Sequence, residues 1–277
     1  MGLELLCKQT CALVKETAEF IRAEAGKITS SYIETKGLHD LVTFVDKLSE
    51  EKLIAGLSKL IPDAGFMAEE SSSKNILLPL FSGEVESCKD RMGYNWIIDP
   101  LDGTTNFIHQ IPCYAISVAL MLDGKIILGV VYEIARDECF YAFENSSAYM
   151  NGVKIKVSET KVLHDSLLAT GFPYNDFTSL ENYIRLLTFF MKNTRGIRRI
   201  GSAATDLCYV ACGRFDGFFE YALKPWDVAA GAFIAQQAGA KVCDFKGGND
   251  FIFGKQVIVG NPFITESMLL SFKEYFS

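Results

Sequence analysis

The chain has 277 residues, of which 49% are hydrophobic and 22% charged, and a formal net charge of -7. That is enough apolar sequence for one large core or for two tightly joined domains. The negative balance argues against a general nucleic-acid binder, which carries a basic face, but it leaves room for a small phosphorylated substrate, because bound cations reverse a local field.

Residues 3–30 carry helical periodicity, with Leu6, Leu13, Val14, Ala18, Ile21 and Ala25 able to share one face. Glu4 and Lys8 interrupt the apolar start, so no signal peptide is visible, and Leu6 stands where a myristoylation signal wants Ser or Thr. No run reaches the ~18 apolar residues of a membrane span, and a cytoplasmic location is expected. A second helix is expected from Thr43 to Leu60, with Thr43 as N-cap and Asp46 three residues on as its capping-box partner. Gly65–Ala68 reads as a short strand running into Glu69-Glu70. Residues 71–93 form an irregular excursion, long for a compact domain. Tyr94–Ile98 is a strand. Tyr114–Leu122 and Lys125–Glu133 read as an antiparallel pair joined at Asp123-Gly124. Glu138–Phe143 and Ala148–Met150 continue the β pattern to a turn at Asn151-Gly152.

The second half alternates. Strands are expected at Leu167–Thr170, Ile197–Ile200, Phe215–Tyr221 and Val257–Val259, and helices at Leu180–Met191, Ala203–Cys212, Trp226–Ala238 and Pro262–Tyr275. The pattern predicts an α+β domain over residues 1–150 and an α/β domain over 151–277, joined without a flexible linker. Eight cysteines without a C-x-x-C pair read as small buried hydrophobes in a reducing compartment.

Acidic residues stand at the ends of these elements: Glu69-Glu70 after one strand, Asp99 and Asp102 after another, Asp227 at a helix start. Asp99-Pro100-Leu101-Asp102-Gly103 is a tight turn, in which Pro fixes one backbone angle and Gly permits a positive φ. Such a turn can aim two carboxylates and the Leu101 carbonyl at one point, and all three are hard oxygen donors suited to Mg²⁺. Two like charges ~5 Å apart repel by about 3 kcal/mol at an effective dielectric of ~20, and divalent cations remove that penalty. His39, His109 and His164 lack any phosphohistidine context, and neither a G-x-S-x-G elbow nor a phosphate-binding G-x-x-x-x-G-K-[ST] loop is present.

The segment Trp96-Ile-Ile-Asp-Pro-Leu-Asp-Gly-Thr-Thr-Asn-Phe107 resembles the first signature of the inositol monophosphatase family, within the lithium-sensitive, magnesium-dependent phosphatases. Lys224-Pro-Trp-Asp-Val-Ala-Ala-Gly231 resembles its second. Asp40-Leu-Val-Thr-Phe-Val-Asp46 and Ala68-Glu-Glu-Ser71 are similar to two further motifs, in the right order. The resemblance implies a layered αβαβα sandwich of the inositol monophosphatase/fructose-1,6-bisphosphatase type, a homodimer, and hydrolysis of a small phosphate monoester by metal-activated water.

Residue by residue, it implies that Glu69, Asp99 and the Leu101 carbonyl hold one Mg²⁺ and that Asp99, Asp102 and Asp227 hold a second, with a weaker third near Glu69. Thr104, oriented by Asp46, would hydrogen-bond the attacking water. Asp102, Gly103 and Thr104 would surround the phosphate, while Gly201, Ser202, Ala203, Glu220 and Asp227 would meet the alcohol; Lys36 matches a loop lysine near the phosphate or third metal. Thr105-Asn106 and Glu220 favour inositol 1-phosphate or a similar polyol phosphate over a 3′(2′),5′-bisphosphate nucleotide, and Arg195, Arg198 and Arg199 keep fructose 1,6-bisphosphate as an alternative. Ala68 in place of the family's usual Gly, and the length of 71–93, leave substrate size and lithium response open. Some relatives also bind RNA polymerase or ribosomal factors, so an interaction protein that retains the site is the non-enzymatic alternative. A membrane partner is not expected.

Overall fold

The computed structural model describes residues 2–27, 33–37, 40–72, 92–174 and 176–276. The first helix, α1 (Leu3–Glu24), buries Leu6, Cys7, Val14, Ala18 and Ile21. It stops short of residue 30 because the chain turns at Gly26, which adopts a left-handed φ of 80°. A hairpin of β1 (Ile33–Gly37) and β2 (Asp40–Thr43), not anticipated from the sequence, leads into α2 (Phe44–Leu60). Helix α2 begins in a full capping box: Thr43 Oγ1 accepts from the Val45 N–H at 3.1 Å, and the Thr43 N–H donates to Asp46 Oδ2 at 2.8 Å. The sequence β3 (Gly65–Ala68), α3 (Glu69–Ser72), β4 (Tyr94–Asp102) and α4 (Thr104–Ile108) then carries most of the acidic residues singled out above. Of the excursion 71–93, residues 73–91 lie outside the described residues.

Strands β5 (Ala115–Leu122) and β6 (Lys125–Glu133) pair antiparallel across Asp123-Gly124, followed by β7 (Glu138–Phe143), β8 (Tyr149–Met150) and β9 (Val153–Lys154). Asp123 and Gly124 take positive φ values of 49° and 78°, the geometry a two-residue hairpin turn needs. After β10 (Leu167–Thr170) come α5 (Leu180–Asn193), β11 (Gly196–Arg198), α6 (Ala203–Ala211), β12 (Gly217–Tyr221), α7 (Pro225–Gln237), β13 (Lys241–Cys243), β14 (Gln256–Gly260) and α8 (Pro262–Tyr275). Strand β13 was not foreseen: three residues are too few to display a period.

Among the described residues, β3 to β9 form a seven-stranded sheet in sequence order, and β11-β10-β12-β14-β13 form a five-stranded one. Alternation along the strands shows why these stack in layers. In β5, Ile116, Val118 and Leu120 pack with Val14, Ile21, Leu53 and Leu57 of α1 and α2. Their neighbours Ala115, Ala119 and Met121 pack instead with Leu207 of α6 and Ala230 and Ile234 of α7. In β14, Val257 and Val259 face that same α6–α7 layer, whereas Ile258 faces Phe190 of α5 and Phe272 of α8. Both faces of both sheets are covered, so the strands are apolar nearly throughout. The result is five layers, helix–sheet–helix–sheet–helix, with the chain crossing from the first sheet to the second after residue 154. No helix among the described residues is long and apolar enough to cross a membrane.

Candidate active site

Strict alternation would send Asp99 and Asp102, three residues apart, to opposite faces of the sheet. A β-bulge prevents this. Asp99 pairs with Ser117 and Asp102 with Ala115, so three steps along β4 oppose two along β5. The extra residue falls at Pro100-Leu101, where Pro100 has no N–H to give the ladder. Both aspartates therefore face the α6–α7 layer, as Ala115 does. Sequence reasoning ended this strand at Ile98; pairing continues to Asp102 because the bulge absorbs the proline rather than ending the strand.

Past the bulge, Gly103 adopts φ 96° and starts α4. A Cβ there would lie 3.1 Å from the Cys113 and Gly201 carbonyl oxygens, so the backbone of residue 103 passes close to the 200-loop. Thr104 follows, and its Oγ1 lies 2.8 Å from Asp46 Oδ1 and 3.0 Å from the Leu101 carbonyl. Asp46 is 1% exposed, and its other oxygen is held by the Thr43 hydroxyl at 2.6 Å and the Thr43 N–H. Burial pushes the Asp46 carboxyl up, and the Thr43 and Thr104 hydroxyls pull it back. One carboxylate thus caps α2 and orients Thr104.

Across the cleft, Asp102 Oδ2 accepts from Ser202 Oγ and from the Ala204 N–H, both at 2.7 Å. Ser202 is the N-cap of α6 and Ala204 lies in its first turn, so Asp102 meets the positive end of that helix. Burial raises its carboxyl to about 6, against Ser202, Ala204 and Arg199, which lower it. Asp227, in the first turn of α7, accepts the Lys224 N–H at 2.7 Å. Its carboxyl is raised well above the usual range by burial and by the charges of Asp102 and Glu69. Asp99, 2% exposed, accepts the Leu101 N–H at 2.9 Å. It is raised by burial first and then by Glu69, Asp102 and Asp227. Glu69 begins α3 at the end of β3, the parallel neighbour of β4.

Between these acids and the second sheet lies an open pocket, lined in part by Asp102, Gly201, Ser202, Ala203, Glu220 and Asp227. Glu220, on β12, is 7% exposed, and burial raises its carboxyl to about 8. Gly171 makes room for it: a Cβ at 171 would stand 2.0 Å from the Glu220 carboxylate. Asn106 ties the halves together by donating to the Cys113 and Ile200 carbonyls, both at 2.8 Å. Asn106, Gly171, Tyr174 and Asp206 were not singled out as site residues in the sequence; the only signal for Asn106 was its place in the first signature. Lys36 falls in β1, and its side chain lies outside the described residues, as does His39.

The chain matches the profile described as "Inositol monophosphatase family" over residues 3–275. It belongs to the inositol monophosphatase family. A Pseudomonas aeruginosa protein described as Nus factor SuhB is 36% identical over 263 residues, covering 94% of this chain and 93% of that protein. The crystal structure of the extragenic suppressor protein suhB from Bartonella henselae superposes with a TM-score of 0.87 at 35% identity, covering 98% of this chain and 99% of that one. Inositol monophosphatase from Anabaena superposes with a TM-score of 0.84 at 31% identity, over 99% and 98% of the two chains. The layered fold expected from the sequence is thus the fold of this family.

Inositol monophosphatases generally use Mg²⁺, and the residues here can be tested for fit. Among the described residues, no three His, Cys, Asp or Glu side chains are drawn together as a ready-made cage. The acids nevertheless face one another closely enough that each of Asp99 and Asp227 is raised by two or more of the others. All the donors are oxygens. Asp99 is buried among like charges, a costly arrangement that a divalent cation relieves. The donor chemistry therefore fits Mg²⁺.

Proposed function

We propose that the chain hydrolyses the phosphate monoester of a small polyol, inositol 1-phosphate or a similar compound, in a Mg²⁺-loaded site. The observation that carries this reading is the bulge at Pro100-Leu101, which turns Asp99 and Asp102 to one face opposite Asp227. Glu69, Asp99 and the Leu101 carbonyl would hold one Mg²⁺, and Asp99, Asp102 and Asp227 a second, with a third near Glu69. Bound there, the metal supplies Lewis acidity, acidifying a water and neutralising phosphoryl oxygens.

The side chains supply position. Asp46 accepts the Thr104 hydroxyl hydrogen, which leaves the lone pairs of Thr104 Oγ1 free to accept a hydrogen from the attacking water. The left-handed Gly103 brings the backbone close to where a phosphate would sit. Asp102 is anchored on α6, and Glu220, with a pKa near 8, is protonated at neutral pH, so it can donate to an oxygen of the alcohol as well as accept. Among the described residues lining the pocket Arg199 is the one cation, and it is already engaged by Tyr174, which favours a polyol over a bisphosphate.

The experiment is phosphate release from a panel of monoesters with and without Mg²⁺. Release from inositol 1-phosphate, none from 3′-phosphoadenosine 5′-phosphate and little from fructose 1,6-bisphosphate supports the reading. A second reading is favoured by the relatives' description as Nus factors: a regulatory interaction protein, assembling as a homodimer, that keeps the pocket. Absence of release from every monoester would select that reading.

A further inference from the structure

Helix α2 carries two buried carboxylates on one face. Asp46 and Glu50 stand four residues apart, about one turn of helix, and are 1% and 3% exposed. Asp46 orients Thr104. Glu50 reaches a different segment: its Oε2 accepts the Glu70 N–H at 2.7 Å, and its Oε1 accepts the Ser71 hydroxyl. Both bonds fall on the turn that begins with Glu69.

That turn lies where the first sheet stops holding this part of the chain. β3 pairs with β4 from Gly65 to Ala68, and the last pair is Ala68 with Ile98. The next residues along the two parallel strands are Glu69 and Asp99, so the register delivers these two acids at one level. Asp99 stays in the ladder, because β4 runs on and pairs it with Ser117 of β5. Glu69 has left its own ladder with β4. A carboxylate that accepts from two successive residues is a strong anchor, and Glu50 ties the chain just after Glu69 to the helix that also bears Asp46. Resting on the metal-loaded reading of the site, we infer that Glu50 is a positioning residue for Glu69. By holding residues 70 and 71 it sets where the Glu69 carboxylate stands relative to Asp99. One face of α2 then serves two parts of the site, Asp46 through Thr104 and Glu50 through Glu69. Groups that hold a metal ligand in place are typically worth about 10- to 100-fold in metal affinity.

The test is calorimetric titration of the full chain with Mn²⁺, which takes the same oxygen donors as Mg²⁺, without substrate. Asp99→Asn removes a proposed ligand and marks the site, so its Mn²⁺ binding should be weakened or lost. Glu50→Ala is expected to raise the Mn²⁺ Kd about tenfold or more. Glu50→Gln keeps an acceptor for the Glu70 N–H but not its charge, and should raise it less, by about threefold. In phosphate release, the half-saturating Mg²⁺ concentration of Glu50→Ala should rise in step, while KM for inositol 1-phosphate at saturating Mg²⁺ stays within about twofold of wild type. Unchanged Mn²⁺ affinity in Glu50→Ala overturns the inference, whatever the variant's Tm in EDTA, since a role confined to the fold lowers only the Tm. Should Glu50→Ala fail to fold, Glu50→Gln decides, and a Kd equal to the wild type's overturns the inference. If the wild type binds no Mn²⁺, or Asp99→Asn binds it equally well, the metal-site reading falls and the inference with it. If Asp99→Asn loses binding and Glu50→Ala does not, the inference alone falls.

Discussion

Glu220→Gln should flatten the pH dependence of the metal-free protein's stability. The Glu220 carboxyl is buried on β12, and its pKa rises from an ordinary 4.5 to about 8 on folding. The folded state therefore holds this proton more tightly than the unfolded state. The stability linked to it is fully present below about 4.5 and is lost as pH rises through about 8. The slope over that window is about 1.4 kcal/mol per pH unit, or roughly 2.5 kcal/mol between pH 6 and 8. For a chain of this size, ~2–4 °C of Tm per kcal/mol makes this about 5–10 °C. Gln keeps the shape and has no proton to lose. Thermal melts in EDTA at pH 6, 7 and 8 would show the wild type losing stability relative to Glu220→Gln by about that amount. Asp102, raised to about 6, adds a fall of the same sign to both proteins and drops out of the difference. Parallel curves would show that Glu220 does not hold a proton in the folded pocket, and with that its role as a donor to the substrate fails.

Three further outcomes follow from the same geometry. Thr104→Val should lower kcat on inositol 1-phosphate by about 100-fold or more, the usual worth of a positioned proton-transfer group, with Tm within a few degrees of wild type; unchanged kcat in steady-state assays would remove Thr104 from the reaction. Gly103→Ala should destabilise the fold by about 1–3 kcal/mol, because a non-glycine residue at φ 96° is strained and its Cβ meets two carbonyl oxygens at 3.1 Å; urea unfolding would show it as a lower midpoint. Millimolar Mg²⁺ should raise the Tm more at pH 8 than at pH 5, since Asp99, Asp102 and Asp227 all have raised pKa values and must shed protons to bind it. Equal Tm shifts at both pH values would argue against these acids as the ligands.

Much of the fold is legible residue by residue. The i, i+3, i+4 pattern marks α1, and the pairs around Asp123-Gly124 mark the β5–β6 hairpin, because side-chain period and turn chemistry are local properties. Short elements were not legible. β13 is three residues long, and the β1–β2 hairpin has a register shift of its own, so neither shows a period. The boundary at Ile98 was misjudged because a proline within a strand reads as its end. Only pairing with β5 shows that the strand passes through Pro100 as a bulge.

The site divides in the same way. Asp99, Asp102, Thr104 and Asp227 stand out in the sequence because acids and small residues at strand and helix ends form recognisable motifs. The Asp46–Thr104 hydrogen bond spans 58 positions, and the Asp102–Ser202 bond spans 100. Tertiary structure alone decides which residues converge from such separations. It also decides that Asp206, on α6, is buried beside the pocket with its Oδ1 free of hydrogen bonds. The longer elements, the candidate acids and the likeness to the family are written in local pattern, which a short window of sequence carries. The bulge that turns two aspartates to one face, and the layers that bring α6, α7 and both sheets around one pocket, come from long-range packing, which no local window contains.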